Sequence, residues 1–156
     1  MSRPLFVSNA SPIIAFERLG QLPLLERLTN PLHLPPAVVQ EVFGVQPLPS
    51  WIAKQSLSQP LARLPLSPRL GAGESEAIAL ALELMPCQLV IDDLAARRAA
   101  QSLNIPIVGT VGLLILARQG DLLPSLKPQL DALLKEDFRI SDMVYDLALR
   151  QVGEIP

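Results

Sequence analysis

From Gly71 to Thr110 the chain alternates helical apolar spacing with short unbroken apolar runs, and this alternation limits the folds open to it more than any single residue does. GAGESEAIALALEL repeats apolar residues every three to four positions, and Gln88 to Ile91 is a short apolar run. Asp93 to Leu103 returns to helical spacing, and Ile105 to Val108 is a second run. Short apolar runs bounded by turn residues read as buried strands. Strands that alternate with helices imply a parallel sheet with helices on both faces, because each crossover must pack its apolar side back onto the sheet.

The same order runs through the rest of the chain. Leu5 to Val7 reads as a strand. Ser11 followed by Pro12 reads as a helix cap and first helical residue, opening a helix that passes Glu17-Arg18 and stops at Gly20. Gln21 to Leu28 is a second helix, Leu32 to Leu34 a brief strand, and Pro35-Pro36 opens a helix closing at Gly44. Residues 45–70 are rich in proline, contain the sole tryptophan, Trp51, and read as loop and short helix. Helices open at Gly109-Thr110, near Ser125 and at Asp142. The length of 156 residues suits one domain spanning 1–156.

Composition narrows the function. No apolar run approaches the roughly 20 residues needed to cross a bilayer. The apolar run before Asn9 is too short for a secretory signal, so a cytoplasmic protein is expected. Net charge is −2, which provides no general attraction for nucleic acid, so any such binding must be local. Aromatics make up 4%, too few for a base-stacking platform. The 49% hydrophobic fraction points to a face that associates with another protein surface, and a homodimer is expected. The lone Cys87 excludes an internal disulfide and reads as core filler. His33, between Leu32 and Leu34, reads as a half-buried strand residue. GAGES lacks the glycine spacing and lysine of a phosphate loop.

Acid gathers where strands end. Asn9 follows the first strand and Asp92-Asp93 the run ending at Ile91, with Glu41 and Glu74 on helices able to reach the same crevice. Open parallel sheets bind ligands at the carboxyl ends of their strands. Clustered carboxylates repel unless a cation neutralises them, and hard oxygen donors suit Mg²⁺ or Mn²⁺. Acidic residues near helix starts are also favoured by the helix dipole alone, which accounts for Glu74, Glu76 and Asp93 individually. Helical phase puts Glu74 on the buried face, and Glu76, in the same row as Glu83, toward solvent. Arg97 and Arg98 lie about one turn beyond the acid pair. They either hold an RNA backbone or form surface ion pairs.

VSNASPII, PPAVVQEVFG, GAGESEAIALALEL, VIDDLAARRAAQSLNIPIVGTVG and FRISDMVYDLALRQVGE, taken in this order, resemble a bacterial PIN domain, in a branch related to the ribonuclease toxins of toxin–antitoxin pairs. The resemblance implies a three-layer α/β/α sandwich with a mostly parallel central sheet, and an acidic, Mg²⁺- or Mn²⁺-dependent ribonuclease site. Carried over by position, the four acidic places fall on Asn9, Glu41, Glu74 and Asp93, with Asp92 adjacent and Glu76 the alternative third acid. Asn9 departs from the pattern by supplying a carbonyl without charge. Ser11 and Thr110 match supporting hydroxyl positions, although helix capping explains each as well. The implied partners are an RNA substrate and a small antitoxin protein. The alternative is a catalytically weak module that uses the same fold for protein interaction.

Overall fold

The computed structural model of the chain describes residues 4–61 and 66–156; the part of the expected loop-and-short-helix region at 62–65 lies outside the described residues. Five parallel strands, β1 (Leu5–Ser8), β2 (Leu32–Leu34), β3 (Ile52–Lys54), β4 (Cys87–Val90) and β5 (Ile107–Val108), form one sheet in the order β3-β2-β1-β4-β5. The helices are α1 (Ala10–Arg18), α2 (Leu22–Thr29), α3 (Pro36–Phe43), α4 (Ala72–Glu83), α5 (Leu94–Ser102), α6 (Thr110–Gln119), α7 (Lys127–Lys135) and α8 (Asp142–Gln151). The chain winds outward from β1 to β3, then crosses back to place β4 on the other side of β1. That reversal leaves a crevice between the carboxyl ends of β1 and β4, where sheets of this kind bind ligands.

Side-chain alternation assigns the two faces. Phe6, Leu32, Leu34 and Val90 join the core shared with α1, α2, α6, α7 and α8. Val7, Cys87, Leu89 and Ile91 point the other way, against Ala77, Ile78 and Leu80 of α4 and Ala96 and Ala100 of α5. Helix α3 packs on both α1 and α4. The register is continuous across β1: Phe6 pairs with Leu32 and Gln88, and Val7 with His33 and Leu89. His33 is half-buried on β2, its Nδ1 3.2 Å from Gln55 Oε1.

Three elements differ from expectation. Helix α1 starts at Ala10 with Asn9 at its cap position, so Pro12 is its third residue and Ser11 is not the cap. Proline is tolerated there because first-turn amides have no helical acceptor. Strand β3 lies inside the proline-rich region expected to be loop, and its backbone groups are satisfied by pairing with β2. Strand β5 is shorter than the apolar run that contains it. Pro106 has no N–H for the ladder, although its carbonyl accepts from Leu89 N at 2.9 Å.

Glu154 fastens the last helical layer. Its carboxylate accepts from Leu126 N at 2.6 Å and Lys127 N at 3.0 Å, and Arg118 Nε lies 3.2 Å away. Partial burial opposes the charge, but the two amides and the arginine prevail and hold the carboxyl below its ordinary 4.5. A carboxylate whose pKa is depressed by folding stabilises above its unfolded value, and that contribution disappears as pH falls through the folded value. Glu154→Ala is expected to lower stability by about 1–3 kcal/mol at neutral pH. Urea melts of both proteins should show this difference shrinking once pH falls below 4.5; a pH-independent difference would contradict the charged contacts.

Candidate functional site

Asn9, Asp92-Asp93 and Thr110 leave three adjacent strands, β1, β4 and β5, at their carboxyl ends. Asn9 is 3% exposed, and its amide donates to Val90 O at 3.4 Å, carrying the β1–β4 pairing one residue past the strand. Its side chain makes no cap bond to α1. Asn9 Oδ1 is buried with no hydrogen-bond partner among the described residues. A buried acceptor left unpaired costs about 1–3 kcal/mol, so this oxygen marks a place that a ligand would stabilise.

The two aspartates have different partners. Asp93 is exposed and caps α5, its Oδ2 accepting from Ala96 N at 2.9 Å. Asp92 is half-buried and accepts from Thr110 twice, Oδ1 from the amide at 2.8 Å and Oδ2 from the hydroxyl at 2.6 Å. This ties the end of β4 to the start of α6. Burial pushes the Asp92 carboxyl up, while the Thr110 donors and the Arg97 charge pull it down less strongly. Arg97 turns back and donates Nη1 to Ile91 O at 3.0 Å, and among the described residues it forms no surface ion pair. Gly109 makes room for both side chains: a Cβ there would stand 2.8 Å from Asp92 Oδ1 and 2.9 Å from Arg97 Nη1.

A second acidic group lies along the seam between α3 and α4. Glu41 is exposed, and α4 approaches it through Gly73, where a Cβ would come within 2.9 Å of Glu41 Oε1. Glu74 is half-buried, and its Oε2 reaches back to Gly71 N at 2.6 Å, capping its own helix. Glu76 corrects the expectation of a solvent-facing side chain. It is half-buried, and its Oε1 accepts from Ala37 N at 3.0 Å, at the start of α3. Glu83, in the same row, accepts from Ser58 N and Oγ. That row faces other parts of the chain, which helical phase alone does not reveal. Because α3 follows β2 directly, Glu76 is brought to the carboxyl edge of the sheet. Among the described residues, no three His, Cys, Asp or Glu side chains gather closely enough to hold one ion.

A cleft of about 980 Å³ opens beside the strand ends, between α1, β5, α6 and the α7–α8 connection. Ser11, Asp92, Asp93 and Arg97 line it, as do Arg18 and Arg139; Asn9, Glu41, Glu74, Glu76, Arg98 and Thr110 do not. The expected site residues therefore form two groups, one in this cleft and one on the α3/α4 seam, with the buried Asn9 at the strand end. Sequence reading missed Arg18 and Arg139, which sit at a helix end and in a loop, where spacing carries no signal. It could have found Gly109, a glycine directly after a strand and before a helix.

A family model, DUF3368, described as a PIN domain, matches residues 5–154. The chain belongs to this PIN family, and its all-parallel five-stranded sheet with helices on both faces agrees with that family's α/β/α fold. PIN domains are in general nuclease-like and typically use divalent metals. No curated protein and no solved structure matches the chain. Among the described residues, no helix is long and apolar enough to cross a membrane.

Gly109→Ala tests the packing at the cleft. The added methyl must displace the Asp92 carboxylate or the Arg97 guanidinium, and overpacking of this kind costs about 1–3 kcal/mol. The loss should appear in denaturant melts, whereas Gly20→Ala, with open space around its position, should reflect only the strain of its φ of 68°. A neutral Gly109→Ala would show that the carboxylate and guanidinium move freely.

Proposed function

We propose that this chain is a metal-dependent ribonuclease that hydrolyses RNA phosphodiester bonds, working as one domain over residues 1–156 in the cytoplasm as the homodimeric toxin of a toxin–antitoxin pair, held in check by a small antitoxin protein. Within the PIN fold, the observation that carries this reading is the unpartnered Asn9 Oδ1 at the carboxyl end of the central strand. A buried carbonyl oxygen at a strand end is a donor of the type that suits Mg²⁺ or Mn²⁺. The residues proposed to hold the ion are Asn9, Asp92, Asp93, Glu41 and Glu74, with Glu76 the alternative to Glu74; the acids would have to draw together on binding, since among the described residues no three of them surround one point. Glu74, Glu76 and Asp93 each bond an amide through a single oxygen, and the other has no hydrogen-bond partner among the described residues. When bound, a divalent ion would lower the pKa of its water and stabilise charge developing on the phosphate.

The chain's own groups support this chemistry in definite ways. Asp92 fixes Thr110, and with it the start of α6, at the rim of the cleft. Arg97, anchored on Ile91 O, and the exposed Arg98 offer guanidinium groups to an RNA backbone. Ser11 is exposed in the cleft wall and can donate to a phosphate oxygen. A second reading, a catalytically weak interaction module, is favoured by one observation: three of the candidate acids already serve as helix-start acceptors.

Asn9→Asp separates the two readings. It adds a negative charge with almost no change in volume, at a position 3% exposed. Without metal, the buried carboxylate should lower stability. With Mn²⁺, calorimetry should show affinity raised at least about tenfold, equivalent to 1.4 kcal/mol. The Mn²⁺-induced rise in melting temperature should exceed that of the wild type, and RNA cleavage should increase and vanish in Asp93→Asn. Lower stability with no Mn²⁺ uptake in either protein would sink the enzyme reading and leave the interaction module.

A further inference from the structure

The cleft combines apolar walls with unpaired charge of both signs. Ile14 of α1, Val108 of β5, and Val111 and Ile115 of α6 supply apolar lining. Leu94, the first residue of α5, follows the Asp92-Asp93 pair directly; it lines the cleft and is 60% exposed. Phe138, in the connection between α7 and α8, is half-buried and is the one aromatic residue of the lining among the described residues. A cleft of about 980 Å³ with such walls is at the upper end for pockets that shelter organic groups. A nucleic-acid strand offers one flat group per nucleotide, a base whose face stacks on aromatic and apolar side chains. A chain with 4% aromatics cannot line a run of bases, but one ring is enough for one base.

Charge decides how that nucleotide lies. Both Asp92 oxygens accept from Thr110, and one Asp93 oxygen accepts from Ala96 N. Glu136 and Asp137 also line the cleft; both are exposed, and neither carboxylate has a hydrogen-bond or ion-pair partner among the described residues. They repel phosphate, so the sugar–phosphate backbone does not lie against them. An ionised carboxylate accepts from N–H groups, and guanine presents two adjacent N–H donors on its pairing edge, matched to the two oxygens of one carboxylate. Arg18, at the end of α1, and Arg139 are exposed cations of the same lining, and neither forms an ion pair among the described residues. They are left to meet the flanking phosphates. Asp137 and Arg139 stand on either side of Phe138 in the chain, so one short segment carries a group for the base edge, the base face and the phosphate.

We infer that the cleft takes one unpaired nucleotide of an RNA strand, guanine by preference, with its base on Phe138 and Leu94 and its pairing edge on Glu136 and Asp137. This rests on the RNA-binding part of the proposed function and adds to it the base by which a strand is held beside Asp92-Asp93.

Fluorescence anisotropy in EDTA reads binding apart from cleavage. The probes are labelled RNA pentamers of uridine, one with guanosine at its centre, one with adenosine there and one unaltered. The guanosine strand should bind the wild type at least about tenfold more tightly than the other two. The double substitution Glu136→Gln, Asp137→Asn replaces exposed side chains and keeps at position 137 a residue type that tolerates its φ of 61°. It should leave circular dichroism unchanged and reduce the preference to less than about threefold. Arg139→Gln should weaken all three strands alike and flatten their salt dependence. Absence of binding, equal affinity for the three strands, or a preference that the double variant retains would overturn the inference. Guanosine monophosphate competing as tightly as the guanosine strand would overturn it too, and assign the cleft to a free nucleotide. Cleavage is read separately with Mn²⁺: guanine-selective binding without cleavage leaves this inference standing and removes the enzyme, whereas cleavage indifferent to the base overturns it and leaves the catalytic reading intact.

Discussion

The structure depends on β1 being hydrogen-bonded on both sides. All four residues, Leu5 to Ser8, pair with β4, and Phe6 and Val7 also pair with β2 on the other edge, so the strand is the hinge from which both halves of the sheet are laid out. Burial on both faces requires Phe6 and Val7 to be apolar alike, one toward α1 and α6, the other toward α4 and α5. The residue after the strand, Asn9, still bonds β4 through its amide, but its side chain enters α1 without capping it. A polar side chain is thereby buried at the carboxyl edge, at the point where the winding of the sheet reverses.

What surrounds that point is a competition for carboxylate oxygens. Helix starts present unpaired amides and a partial positive charge, and Glu74, Glu76 and Asp93 each answer one of them. Each does so with a single oxygen. The amide bond restricts the side chain, so the remaining oxygen is presented in a fixed direction, at less entropic cost than a free glutamate would incur on binding. Capping through one oxygen is thus compatible with the ligation proposed for the other. Asp92 is different, because both its oxygens accept from Thr110 and its carboxyl is raised by burial. Its contribution is to hold β4, β5 and α6 in a fixed relation.

The alternation of strands and helices was legible because covering a parallel sheet on both faces demands unbroken apolar runs at β1 and β4. β3 was not, because Ile52–Lys54 is too short for a period to show and owes its conformation to β2 beside it. Helical phase placed Glu76 and Glu83 in one row correctly but could not show what that row faces, and both accept from backbone amides of neighbouring segments. The divergence of Asp92 from Asp93 was equally hidden. It arises where the chain turns from strand to helix, and only the arrival of Thr110, at the start of α6 beside the neighbouring strand, gives Asp92 its partners. The acidic positions themselves were readable as candidates; whether they act on one ligand depends on helix-to-helix approach, which Gly73 permits at Glu41 and which no local pattern announces.

The two outer strands have a bearing on how this chain behaves when crowded. β3 and β5 have only three and two residues, and prolines stand close by at positions 47, 49 and 106. Short edges with missing donors give an incoming strand little to pair with, so the sheet resists growing from one molecule into the next. A chain that is 49% hydrophobic is thereby steered away from strand-on-strand fibres. When such molecules meet, their contacts fall to helix side chains, which form and separate without unravelling either fold.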